Sequence, residues 1–66
     1  MENNKDYQMQ KTQTLKMLAM LTEQIKVHEK RQKADSKNWG YVGDLHRLNH
    51  LLSEAHDYLG TPEEAQ

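Results

Sequence analysis

An all-α fold, in which an antiparallel two-helix hairpin assembles into a homo-oligomeric helical bundle, is predicted by three observations in this 66-residue chain. Apolar residues recur at three- and four-residue spacing in two separate stretches, which is helical periodicity. The short polar segment between those stretches leaves room only for a tight turn, and short helix connections join antiparallel neighbours. The absence of Cys removes disulfides and thiolate metal sites as staples, so apolar burial must hold the fold together.

Residues 1–13 are rich in Asn, Gln and Lys, with Tyr7 and Met9 as their sizeable apolar groups. They read as a polar arm or a frayed helix start. Helix one is expected over about 14–34. Leu18, Leu21, Ile25 and His28 fall at 3-4-3 spacing and form one stripe, with Met17 at its edge. Met20 and Val27 lie on another side of the same helix, and a helix that is apolar on more than one side is buried on more than one side. Residues 35–38, Asp-Ser-Lys-Asn, favour caps and turns, and Ser36 or Asn38 can cap the second helix.

Helix two is expected over about 39–59. Tyr41, Leu45, Leu48, Leu52, Ala55 and Leu59 repeat at 4-3-4-3-4 spacing, an apolar seam nearly three heptads long. Leu51 and Tyr58 widen it on one flank and Val42 on the other. Gly60, with Pro62 two residues on, is a stop signal. Residues 61–66 read as a tail; Thr61 to Glu64 imitate a capping box but have room for one turn at most. A lone hairpin buries one face, and this chain offers more, so Met17, Met20, Leu21, Val27, Leu51 and Tyr58 are the expected oligomer interface.

The overall charge of −1 conceals an asymmetry. Residues 1–37 carry eight Lys/Arg against five acids, and residues 38–66 carry Arg47 against five acids. Five of the cations (Lys26, Lys30, Arg31, Lys33, Lys37) lie within twelve positions. A negative total and an acidic second helix argue against duplex DNA as a partner. The longest apolar run, residues 17–21, is far too short to span a membrane, and the N-terminus lacks the apolar core of a secretion signal. The cytoplasm is the expected location.

Around the turn, Lys30, Arg31, Lys33, Lys37, Asn38, Trp39, Gly40, Tyr41 and Gly43 form the candidate ligand site. A helix N-terminus offers backbone N–H groups and a positive dipole end to an anion. Glycine permits close approach, and Trp39 and Tyr41 offer faces on which a base could stack. The simpler alternative is packing: the glycines let helix one come close, the rings cover the bundle end, and the cations complement a helix C-terminus.

His46 and His50, at i and i+4, could grip a metal between two imidazoles, but they read equally as part of a solvated face; no metal or other cofactor is assigned. Ser53, with His50, His56 and Asp57 on one helix, does not make a triad, and neither a P-loop nor a dinucleotide fingerprint is present. A non-enzymatic protein is expected.

The string Asn38-Trp39-Gly40-Tyr41-Val42-Gly43-Asp44-Leu45, followed by Leu48, Leu52 and Leu59, resembles a pattern in small uncharacterised helical-hairpin proteins of bacteriophages and mobile elements. The likeness covers residues 38–59. It implies a phage accessory protein that binds and blocks something in the host cytoplasm. By analogy of fold and size with unrelated helical-hairpin phage proteins, one such role would be sequestration of a nucleotide-like immune signal by the oligomer. The alternative is a protein-interaction module that inhibits or bridges a host or phage protein through its apolar helical surface.

Overall fold

A computed structural model describes residues 2–60. Those residues contain two helices and no strand: α1, Asn4–Ala34, and α2, Gly40–Leu59. The chain divides into two units between Asp35 and Ser36, one per helix.

The first helix has 31 residues and is about 46 Å long. It starts at Asn4, ten residues before the expected start near 14, which corrects that boundary and makes residues 4–13 helix. The Tyr7 N–H donates to the Asn3 carbonyl at 2.8 Å, closing the first turn, and Asp6 sits there as the dipole favours. Gln, Lys and Met are good helix formers, and neither Gly nor Pro interrupts them, so the backbone needs no apolar stripe to continue.

Two threonines return their hydroxyls to the helix itself. Thr14 Oγ1 donates to the Gln10 carbonyl at 2.9 Å, and Thr22 Oγ1 to the Leu18 carbonyl at 3.0 Å. With its hydroxyl satisfied, Thr14 presents a methyl group. Tyr7, Thr14, Leu21 and His28 then follow one another every seven residues along a single stripe. Leu21, His28 and Gln32, all on that stripe, are half-buried. Lys26–Glu23 at 3.2 Å and Lys33–Glu29 at 3.9 Å lace the solvated side; exposed pairs of this kind add a few tenths of a kcal/mol each, about 0.3–0.5 at i,i+4. At the C-terminus Arg31 and Lys33 occupy the last turn, and the Asp35 N–H donates to the Gln32 carbonyl at 3.1 Å.

The second helix has 20 residues, about 30 Å. Its apolar residues gather on one side, and Tyr41 and Leu48 on that side are half-buried. It ends where expected. Gly60 has φ 84° and ψ 166°, a region open essentially only to glycine, and its N–H closes on the His56 carbonyl at 3.1 Å. The predicted stop at Pro62, the capping-box imitation and the tail 61–66 lie outside the described residues.

None of the described residues is buried, and none forms an apolar core. Leu45, Leu48 and Leu52, the centre of the α2 seam, stay at least partly in contact with solvent. No helix among the described residues is long and apolar enough to cross a membrane.

Candidate functional site

The connection between the helices is five residues, 35–39, and Asn38 bonds into the start of α2. The Asn38 side-chain oxygen accepts the Gly40 N–H at 2.8 Å. Trp39 already has helical dihedrals, φ −70° and ψ −9°. Asn38 is therefore the true N-cap, Trp39 the first helical residue and Gly40 the second, which is the position an N-cap oxygen serves. Of the two caps the sequence offered, Asn38 rather than Ser36 bonds the helix.

Further backbone donors of the first turn bond within the turn. The Tyr41 N–H approaches the Asn38 carbonyl at 3.5 Å, and the Val42 and Gly43 N–H groups donate to the Trp39 carbonyl at 3.1 and 3.2 Å. Backbone donors at a helix start hold an anion only when they are unspent. Here Gly40, Val42 and Gly43 have spent theirs.

The candidate ligand residues divide between the two units. Lys30, Arg31 and Lys33 belong to α1, and Lys37, Asn38, Trp39, Gly40, Tyr41 and Gly43 to the second unit. Lys33 is already beside Glu29. Trp39 is 79% exposed, a bare ring at the start of α2, whereas Tyr41 is half-buried.

The two glycines differ. A Cβ built on Gly40 would lie 2.9 Å from the capping Asn38 oxygen, so a side chain there pushes the cap aside. A Cβ on Gly43 meets nothing within 4 Å. At about 100° per residue, Gly43 also falls on the side of α2 that carries His46, His50 and Glu54, away from the Leu45–Leu48–Leu52 seam.

These surroundings give different expectations. Gly43→Ala should stabilise the protein by about 1 kcal/mol through helix propensity. Gly40→Ala should be close to neutral, because the same gain is offset by loss of a cap worth about 1 kcal/mol. Thermal unfolding at one fixed concentration checks both. A lowered midpoint for Gly43→Ala would mean that another helix lies against that glycine.

Two of the four histidines lie beside carboxylates of their own helix. His50 Nε2 lies 3.2 Å from Glu54 Oε1, and His56 Nδ1 lies 3.5 Å from Asp57 Oδ1. Both pairs are well exposed. Ser53 thus has its two nearest imidazoles turned to acids on their own helix. Among the described residues no group of three or more His, Asp or Glu side chains is arranged to hold a metal ion.

The expected interface residues lie along both helices. Met17, Met20, Val27, Leu51 and Tyr58 are exposed, Tyr58 by 90%, whereas Leu21 is half-buried on the main α1 stripe. Met9, absent from the expected interface, is also exposed and lies within about 20° of Met20 and Val27 round the helix. Its eleven-residue distance from Met20 was the available signal. No family model matches this chain, and no curated protein and no solved structure does either.

Proposed function

We propose that this protein is a non-enzymatic helical interaction module that closes as an antiparallel hairpin and completes its core by self-association. The observation that carries this reading is the coexistence of long apolar seams with the absence of any buried residue among those described. A 20-residue helix with Leu45, Leu48, Leu52 and Leu59 on one side is marginal in water unless that side is covered. Several further features support the hairpin. The connection is five residues long. The helices are oppositely charged: α1 carries seven cations against three acids, +4, and α2 one cation against three acids, −2. Each also has its own apolar stripe to offer. The bind-and-block setting implied by residues 38–59 suits a module whose surface, rather than a reaction, is its activity.

Sequestration of a nucleotide-like ligand at the Trp39 corner is the second reading, favoured by the bare indole. The spent N–H groups of the first turn weigh against it. Sedimentation of the protein across a concentration series, with Trp39 emission read in the same samples, decides between them. The expected result is a concentration-dependent oligomer whose emission is unmoved by mono-, di- and cyclic nucleotides. A helical monomer at every concentration would overturn self-association, and a saturable emission change would move the function to the corner.

A further inference from the structure

We infer that the second apolar face of α1, marked by Met9, Met20 and Val27, is a docking surface for the Leu51–Tyr58 flank of α2 from a second copy of this chain. The inference rests on the self-association proposed above and names its contact.

On α1 these three residues lie within about 20° of one another, roughly 145° round the helix from the Leu18–Leu21–Ile25 stripe. Met20 and Val27 are each 47% exposed. An open depression surrounds each of the three. The one at Met20 is lined by Lys16, Ala19, Met20, Glu23 and Gln24, the first four of which stand at i, i+3, i+4 and i+7. That is the four-residue hole into which a neighbouring helix sets a knob. The spacing recurs at Met9, where Lys5, Gln8, Met9 and Thr12 line the depression together with Gln13. On α2, Leu51 and Tyr58 are exposed and seven residues apart, about 90° round from the seam centre. Knobs one heptad apart match holes at Met20 and Val27, also one heptad apart.

Two arguments make the occupant a second copy. The first is charge: the +4 helix repels another α1 and attracts the −2 helix. The second is symmetry: in a twofold pair, α1 of each copy meets α2 of the other, so one contact is made twice.

A charge-swap complementation tests this contact. One variant carries Met20→Glu and Val27→Glu, and the other Leu51→Lys and Tyr58→Lys. Each alone should lose the oligomer in sedimentation, and equimolar mixing should restore it together with the helix signal. If the Lys variant alone keeps the oligomer, the α1 face meets another α1 and the inference fails. If both variants keep it, the faces are free for a different partner; the inference fails while self-association stands. If mixing restores nothing but a single chain with all four substitutions assembles, the contact lies within one chain, which also overturns it. Failure of both the mixture and the fourfold chain overturns the pairing outright.

Discussion

Leu48→Glu should abolish the oligomer and most of the helix signal, whereas His46→Glu, two residues away, should do neither. Leu48 is the half-buried leucine of α2 and the middle of the Leu45–Leu48–Leu52 seam. Losing its side chain from an apolar interface costs about 1.5–3 kcal/mol. A carboxylate in its place must be desolvated without a partner or keep the seam open to water, adding several kcal/mol. A single small core supplies only about 3–5 kcal/mol in total, so one substitution exhausts it. His46 is exposed on the opposite side of α2, where the same charge change should stay within about 0.5 kcal/mol. Circular dichroism and sedimentation of the two variants at matched concentration make the comparison. Equal loss in both would show that charge on α2, and not its seam, governs assembly.

The second helix was legible because its apolar spacing and its terminator are both local. Six residues at 4-3-4-3-4 intervals require one face, and Gly60 supplies a backbone conformation that other residues resist. The start of the first helix was hidden by its composition. Apolar periodicity fades before Leu15, and fading periodicity looks like a helix end. What continues is a polar helix whose stripe is held by Tyr7 and by Thr14, a residue that becomes apolar only when its hydroxyl turns back to the Gln10 carbonyl. That hydrogen bond presupposes the helix, so composition alone does not reveal it.

The corner at Asn38 shows a similar division. A cap at Asn38 or Ser36 could be read from residue type, and so could the concentration of cations near the turn. The state of the backbone donors could not. It depends on Trp39 having helical dihedrals and on the Asn38 side chain reaching Gly40, which are facts of conformation. Once these are set, the first turn changes from an open anion cradle to a closed cap. The placement of Gly43 on the polar side was within reach of the sequence, because three residues from Gly43 to His46 leave both on one side of the helix. The packing alternative instead grouped it with Gly40 as a place where helix one comes close.

Whether residues 4–13 are helix in solution bears directly on the Met9 contact, because an arm cannot present Met9 in line with Met20. Gln10→Pro separates the two readings. A proline at position 10 removes a helical N–H and sets its ring against the carbonyl of Asp6, costing about 3 kcal/mol inside a helix. The chain can avoid that strain by releasing residues 4–9, six of the 51 residues in the two helices. The helix signal should then fall by roughly one part in eight, with matching loss of amide protection ahead of position 10. The seam from Thr14 onward remains, so the oligomer should survive, weakened by the loss of Tyr7 and Met9. Asn4→Pro is the control, since proline at the first helical position meets no unsatisfied requirement and should leave the signal unchanged. If Gln10→Pro is as silent as Asn4→Pro, residues 4–13 are an arm, and the docking surface on α1 begins at Met20.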